Sequence, residues 1–255
     1  MKKIIISVLH VFVFVFFTCP AETQDRQEIK PSLSVETENS LFSVSAKAKE
    51  GIMFYPAVKG AAGKIDMWLF IVRNEKGDIV KTLSGKKSIP EKIVWDGSDN
   101  LGSAAVDGRY RVELYARAGK SEMRFENPDI VIDTTPPFVS VASADNVYFI
   151  DGGGKINKSI NLYLSCGDEN GIDYAESSVK VFNYKNNEIK SFKFTETIPE
   201  TIMWNGIDDI YDAFIRPGNY KIVFSVSDKA GNKESVKYEI SVIESAQTVE
   251  GSKTE

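Results

Sequence analysis

Histidine and cysteine are scarce in this sequence, and each shortage excludes a class of chemistry. The 255 residues include one histidine, His10, and two cysteines, Cys19 and Cys166. Without another imidazole, the chain beyond His10 lacks Ser-His-Asp and Cys-His nucleophile activation, histidine-ligated zinc and histidine general bases. Chemistry by carboxylates alone stays open. If Cys19 is lipidated or removed, no intrachain disulfide forms, and the fold depends on hydrophobic burial.

An excess of basic residues is also absent. Lys and Arg number 31 against 36 Asp and Glu, which gives a net charge of −5. Removal of a leader that contains Lys2 and Lys3 changes this to −7 (−5 minus 2), so no nucleic acid is expected as a partner. The apolar content of 42% is enough for a folded core. Val, Ile, Tyr, Phe and Thr recur in short runs between turn-forming residues, which is typical of β-strands.

The one long apolar run lies at the N-terminus. Lys2 and Lys3 precede Ile4–Phe17, a stretch of 14 residues with two polar interruptions. A membrane-spanning helix needs about 20 residues. Residues 1–21 are therefore predicted to be a signal peptide, and the protein is predicted to be exported.

Two cleavage sites compete at the end of this leader. Phe16-Phe17-Thr18-Cys19 resembles a relaxed bacterial lipobox, in which case Cys19 begins the mature protein and carries the acyl chains that anchor it to a membrane. Alternatively, Cys19-Pro20-Ala21 is a small-x-small site, and ordinary signal peptidase cuts after Ala21. We favour lipidation of Cys19, with the protein in the periplasm or on the outer surface.

Two polar segments flank the remaining sequence. Residues 22–40 are charged and poor in aromatic residues, and they are predicted to form a flexible tether. Residues 245–255 have a similar composition and are predicted to form a disordered tail.

A sequence repeat divides the chain between these flanks. The pattern Ile-Pro-Glu-x-Ile-apolar-Trp-Asx-Gly occurs at residues 89–97 and at 198–206, an offset of 109. Ordered matches of this kind indicate a duplicated domain. Pro136 and Pro137 cannot continue a β ladder. We therefore place the boundary there, with one domain over 41–137 and a second over 138–244.

Alternation of apolar and polar residues predicts the fold class, which is all-β with two tandem immunoglobulin-like β-sandwich domains. The predicted strands of the first domain are 41–46, 65–72, 79–83, 92–95, 109–116 and 129–132. Those of the second domain are 160–166, 178–184, 189–194, 201–204, 220–227 and 236–242. In the strand that begins at Arg109, the inward side chains are expected to be those of Tyr110, Val112, Leu114 and Ala116. Arg111, Glu113, Tyr115 and Arg117 are expected to point outward.

The repeated motifs supply the candidate site residues, which are Trp95, Asp96, Gly97, Tyr110, Trp204, Asn205, Gly206 and Tyr220. An exposed indole could stack on a sugar ring, whereas a buried indole would anchor a small core. We favour burial, because an isoleucine two residues earlier places each tryptophan on the inward face. Asx-Gly is a turn dipeptide, and a tyrosine just after the glycine that starts a strand is typical of a tyrosine corner.

Other chemistry-bearing segments are interpreted as structural. The acidic loops at 168–173 and 208–212 lack the alternating Asp spacing of an EF-hand, so we interpret them as solvated turns in preference to calcium sites. Nothing marks a cleft for a paired-carboxylate hydrolase. Cys166 falls in a predicted strand as a buried small hydrophobe. The sequence therefore predicts no catalytic residues, no cofactor and no metal.

Both repeats resemble the immunoglobulin-like domain of the flagellar hook-capping protein and of many bacterial surface and envelope proteins. The matching parts are the Trp-Asx-Gly turn, the Gly-x-Tyr strand start and the run Ser227–Asn232, with degenerate remnants of the family's opening motif at 54–56 and 149–152. The resemblance covers roughly residues 41–244, and it implies a structural or adhesive module without catalytic residues.

Three functions are weighed on these grounds. The first is a non-catalytic, lipid-anchored envelope module that binds other envelope proteins, with strand addition at a sheet edge as one way to bind. The second is an accessory subunit of an envelope machine of the flagellar or secretion type. The third is a carbohydrate-binding protein, which exposed tryptophans would favour and buried ones would not.

Overall fold

A computed structural model of the protein describes residues 31–37, 40–44, 51–60 and 64–245. The predicted signal peptide, Cys19, most of the predicted tether and residues 246–255 of the predicted tail lie outside this part of the chain. The described residues form strands and turns only, so the all-β prediction is confirmed. In the described part of the chain, no helix is long and apolar enough to cross a membrane.

The first half of the described chain, residues 31–132, contains two sheets. Its strands are β1 (Ser32–Thr37), β2 (Leu41–Phe42), β3 (Ile52–Lys59), β4 (Met67–Asn74), β5 (Ile79–Lys86), β6 (Ile93–Trp95), β7 (Gly108–Ala118) and β8 (Ser121–Ile132). One sheet has the order β1-β3-β6, and the other has the order β2-β8-β7-β4-β5. All pairings are antiparallel except that of β2 with β8.

The second half, residues 138–245, contains two larger sheets and one short hairpin. Its strands are β9 (Phe138–Ser143), β10 (Val147–Ile150), β11 (Ile160–Gly167), β12 (Ile172–Phe182), β13 (Glu188–Lys193), β14 (Thr201–Trp204), β15 (Ile207–Asp208), β16 (Ala213–Phe214), β17 (Gly218–Asp228) and β18 (Lys233–Glu244). The sheet orders are β9-β11-β14 and β10-β18-β17-β12-β13. β10 pairs with β18 in parallel, just as β2 pairs with β8, so the two halves share one strand order.

Each half encloses its own hydrophobic core. On β7 the predicted inward residues Tyr110, Val112, Leu114 and Ala116 are buried. On β17 the buried residues are Tyr220, Ile222, Phe224 and Val226. The two core clusters have no residue in common. Period-two burial in facing sheets is the pattern of an immunoglobulin-like sandwich, which confirms the predicted fold class.

The predicted tether over 22–40 is wrong at Ser32–Thr37, which forms β1. This strand pairs with β3 from Ser32 opposite Lys59 to Thr37 opposite Phe54, and its Leu33 and Val35 are buried in the first core. The physical reason is alternation: two apolar side chains spaced by two residues reach the core, although the polar residues between them make the segment look solvated. The first core therefore extends upstream of residue 41.

Candidate functional site

The two repeated Trp-Asx-Gly motifs have the same geometry at the same place in each half. Trp95 is 0% exposed and Trp204 is 1% exposed. Each indole Nε1 donates a hydrogen bond to a backbone carbonyl three residues later, Ser98 O at 2.8 Å and Ile207 O at 2.9 Å. The ring nitrogen is thereby satisfied inside the protein, and the indole has no face open to a ligand.

The Asx residue of each motif holds the turn that follows the tryptophan. Asp96 Oδ1 accepts hydrogen bonds from Ser98 N and Ser98 Oγ, and these bonds lower the pKa of Asp96. Asn205 Oδ1 accepts one from Ile207 N at 3.2 Å. Gly97 and Gly206 then adopt φ of 75° and 78°. A Cβ at either glycine would also collide with a side chain, at 1.9 Å from Val44 Cγ1 in the first half.

The two predicted tyrosine corners complete this motif. The Tyr110 hydroxyl donates to Val106 O at 2.6 Å, and the Tyr220 hydroxyl donates to Arg216 O at 2.7 Å. Each ring lies edge-on to the tryptophan of its own half, with centroid distances of 5.3 Å and 6.3 Å. Burial raises the pKa of both tyrosines. The residues expected to form the repeat motif are thus brought together in each half as a packing unit.

Side chains from both halves hold the linker, residues 133–137. From the first half, Asp107 Oδ1 accepts hydrogen bonds from the backbone N and Oγ1 of Thr134, and its Oδ2 accepts one from Thr135 Oγ1. From the second half, Asn232 Nδ2 donates to Asp133 O at 3.0 Å and lies 3.3 Å from Thr135 O. The amide oxygen of Asn232 accepts a hydrogen bond from Ser43 Oγ at 2.6 Å, so this side chain joins the two halves directly.

Three carboxylates converge at this junction. Asp133 follows β8, Asp168 follows β11 and Asp228 ends β17, and their oxygens lie within 4.8 Å of one another. Their spacing would let one metal ion contact all three carboxylates. Asn170 Nδ2 donates to Asp133 Oδ2 at 2.9 Å, and Asn232 Nδ2 donates to Asp228 Oδ2 at 2.8 Å.

Charge within this cluster is not balanced by a basic side chain. No ion pair among the described residues includes Asp133, Asp168 or Asp228. Burial raises the pKa of Asp228, and the neighbouring carboxylates of Asp133 and Asp168 raise it further, against the effect of its hydrogen bonds from Asn232. The ionised form of Asp228 is therefore disfavoured by folding, and at neutral pH its charge costs stability.

We expect Asp168→Asn to raise the free energy of unfolding by about 1 kcal/mol at pH 7 in a buffer that contains a chelator. Asp168 Oδ1 accepts hydrogen bonds from Asn170 N and Gly171 N, and an amide oxygen can accept the same bonds while one of three repelling charges is removed. Urea denaturation measures the change. Asp151→Asn, whose carboxylate holds a turn at 151–155 with similar bonds, is the matched control. Equal or lower stability of Asp168→Asn would show that repulsion does not matter here.

The sequence predicts a solvated loop at Asp168 and does not connect Asp133, Asp228 or Asn232 with it. These residues lie 35 to 64 positions from Asp168 in the chain, and only the sandwich topology places the ends of three strands together. One available signal was the Asp228–Asn232 turn, because Asx side chains at both ends of a tight turn commonly bond its backbone. Cys166 is half-buried and burial raises the pKa of its thiol, which agrees with the interpretation as a small hydrophobe.

One part of the chain matches a known protein family. Residues 44–120 match the FlgD Ig-like domain family, which spans most of the first half and includes Trp95 and Tyr110. The comparison with curated proteins found no match. An Ig-like domain fits a non-catalytic structural or binding module.

Several solved structures share a distant likeness in chain path. One is from a study of how a 1.5-MDa bacterial ice-binding adhesin is retained at the host cell surface, with 13% identity, a TM-score of 0.44 and coverage of 85% of this chain and 67% of that one. A Ca2+-stabilized adhesin of an Antarctic bacterium has 12% identity, a TM-score of 0.44 and coverage of 85% and 49%. Dimeric latent PorU from Porphyromonas gingivalis has 11% identity, a TM-score of 0.29 and coverage of 85% and 24%. The chain thus spans between a quarter and two thirds of these proteins.

Proposed function

We propose that this chain is an exported, non-catalytic module of the bacterial cell envelope that is anchored by lipid at Cys19 and binds other envelope proteins. Two duplicated immunoglobulin-like domains, over residues 32–137 and 138–245, form the module. The hydrogen-bonded junction between them is the observation that supports this proposal best. Asp107 from one side and Asn232 from the other bond to the linker, so we expect the two sandwiches to move as one body.

A fixed body of this kind suits a spacer or scaffold. Binding surfaces on a rigid pair of domains keep a constant separation, and a partner does not need to order them before it binds. A flexible linker would lose this advantage. The stacking role for tryptophan is disfavoured, because Trp95 and Trp204 are both buried. The alternative is an accessory subunit of an envelope machine, for which a rigid pair of domains is equally suitable.

We expect Cys19→Ser to move the protein from the membrane fraction to the soluble fraction of cell extracts. A multiply acylated cysteine holds a protein to a bilayer through about 0.8 kcal/mol for each buried CH₂, and serine cannot receive these chains in the same way. Fractionation and mass spectrometry of the mature N-terminus provide the measurement, with Cys166→Ser as the matched control. A mature chain that begins after Ala21 and is soluble in both variants would refute the anchor.

Crosslinking in intact cells separates the two functions that involve partners. A spacer or scaffold is expected to give crosslinks to more than one envelope protein at separate places on its surface. An accessory subunit is expected to give one dominant set that survives purification of an intact complex. A chain that yields no crosslink to any envelope protein would refute binding of either kind.

A further inference from the structure

Arginine is concentrated on one face of the first half. The chain has seven arginines, and five of them lie on the adjacent strands β4, β7 and β8. They are Arg73, Arg109, Arg111, Arg117 and Arg124. All five are on the outward side of the sheet. The arginines of β7 alternate with buried core residues, Arg73 lies opposite Arg111, and Arg124 lies opposite the outward Tyr115. We call this surface the arginine face.

A buried glutamate orders part of this face. Glu113 lies on its outward side yet is 5% exposed. It accepts a hydrogen bond from Arg73 Nε at 3.0 Å and one from the Tyr115 hydroxyl at 2.9 Å, and Arg124 lies at 3.6 Å. Burial alone would raise the pKa of Glu113, but these hydrogen bonds and the two guanidinium charges lower it. Glu113 is thus ionised and positions Arg73, whereas Arg124 is shared between Glu113 and Glu126.

Three guanidinium groups on this face remain free. The side chains of Arg109, Arg111 and Arg117 are exposed and form no hydrogen bond or ion pair with another described residue. Arg73 lies opposite Arg111, and together with Arg109 and one carboxylate, Glu75, these residues line a cavity of about 300 Å³. Arg109 and Arg111 are two residues apart on the same face of β7, so their charges repel one another. Neither of them, nor Arg117 opposite Glu122, forms an ion pair within the described part of the chain.

The second half has no such face, although its strands have the same order. The inward residues of β7 and β17 correspond in character, but the outward positions differ. Where β7 has Arg109, Arg111 and Arg117, the equivalent residues of β17 are Asn219, Lys221 and Ser227. The fold therefore does not require arginine at these positions. The concentration of arginine in one half must have a cause other than folding.

The composition of the arginine face matches that of a protein-binding surface. Arginine, tyrosine and methionine are enriched in protein interfaces, and lysine is depleted there. Beside the arginines lie Tyr115, whose ring is 5.0 Å from the Arg124 guanidinium carbon, and Met67, which is 39% exposed. Tyr115 and Met67 line a second cavity of about 220 Å³ together with Leu69 and Arg117.

The size of the face also fits a protein partner. Four strands, β5, β4, β7 and β8, spaced by about 4.8 Å and about 30 Å long, give an area of roughly 600 Å². One partner contributes about 800 Å² to an interface of standard size. Guanidinium groups bind carboxylates through two parallel hydrogen bonds, which fixes the orientation of a partner.

We propose that the arginine face binds an acidic surface of a partner protein, with Arg109, Arg111 and Arg117 as the residues that pair with its carboxylates. This inference rests on the proposed function and names the surface and the chemistry of the partner. The carboxylates of the partner offset the repulsion between Arg109 and Arg111 and pair with Arg117, and the apolar groove beside Tyr115 takes an uncharged side chain.

The test uses the full chain and a fluorescent peptide of ten glutamates as the acidic probe. We expect the peptide to bind at 50 mM salt and to dissociate as salt is raised. The triple variant Arg109→Glu, Arg111→Glu and Arg117→Glu is expected to bind it about tenfold or more weakly. The matched control, Lys180→Glu, Lys221→Glu and Lys237→Glu on the corresponding face of the second half, makes the same change in charge and is expected to retain most of the binding.

Two further measurements keep the outcomes separate. If the glutamate variant fails to fold, peptide binding is measured on a variant in which the same three arginines are replaced with glutamine. Its thermal midpoint is first checked to be unchanged. Vesicles of phosphatidylglycerol and phosphatidylcholine replace the peptide in a parallel titration. The proposal would be overturned if the arginine-to-glutamate and lysine-to-glutamate variants lost peptide binding equally, or if the peptide did not bind at all. Binding of vesicles through these arginines would also overturn it. If cellular crosslinks persist in the arginine variant, the surface is wrong while the binding function stands.

Discussion

Trp204→Ala is expected to lower the free energy of unfolding of the second half by about 3–5 kcal/mol. The indole is 1% exposed and lies edge-on to Tyr220, with 6.3 Å between the ring centroids. Its removal leaves a cavity in the middle of the core and takes away the donor to Ile207 O, which is then without that bond. Hydrogen exchange followed by mass spectrometry measures the loss as faster exchange of the β17 amides.

The same experiment shows whether the halves unfold separately. Because the two cores have no residue in common, amides of β7 are expected to keep their protection in Trp204→Ala. The corresponding variant of the first half, Trp95→Ala, is expected to speed the exchange of the β7 amides and to leave that of the β17 amides unchanged. Trp68→Ala is a milder control, since this indole is only half-buried. Equal loss of protection in both halves from a single tryptophan variant would contradict two independent cores.

The repeated core could be predicted from the sequence because its signals are local. Alternation along 109–116 predicts which side chains of β7 are buried, and the recurrence of Trp and Tyr at offsets of 109 and 110 indicates the packing unit around each indole. Each of these features depends on side chains within one strand or one turn. When apolar and polar residues alternate along a strand, the sequence alone identifies the side chains that face the core.

The first strand and the buried glutamate could not be predicted in the same way. β1 has two apolar residues, Leu33 and Val35, among polar neighbours, so its composition resembles that of a linker. A comparison of Pro31-Ser32-Leu33-Ser34-Val35 with Pro137-Phe138-Val139-Ser140-Val141 would have shown the strand, at an offset of 106. Glu113 follows the predicted alternation and points outward, but its burial depends on Arg73 and Arg124, which belong to other strands.

The junction was beyond prediction for a related reason. Its carboxylates and amides come from the ends of strands far apart in the chain, and only the pairing of two complete sandwiches brings them together. Pro136 and Pro137 predict only that no β ladder continues through the boundary. The orientation of the halves is instead fixed by side chains that bond across the boundary, above all by Asn232.

Asn232→Ala is accordingly expected to lower the free energy of unfolding by about 2–4 kcal/mol and to let the halves move relative to one another. The side chain is 6% exposed, so its loss leaves Ser43 Oγ, Asp133 O and Asp228 Oδ2 without these hydrogen bonds. It also removes one of the two side-chain amides that donate to the carboxylate cluster, which increases the repulsion there. Urea denaturation measures the first effect.

Spin labels at Ser84 and Lys193, in a chain whose two cysteines are replaced by serine, measure the second effect as the width of the distance distribution between the halves. Lys229→Ala is the matched control, because Lys229 is an exposed residue of the same turn. The distribution is expected to broaden in Asn232→Ala and to stay narrow in Lys229→Ala. The bonds of Asp107 to Thr134 and Thr135 remain in both variants, so the linker keeps its attachment to the first half. A narrow distribution in Asn232→Ala would mean that the prolines and Asp107 suffice to fix the junction.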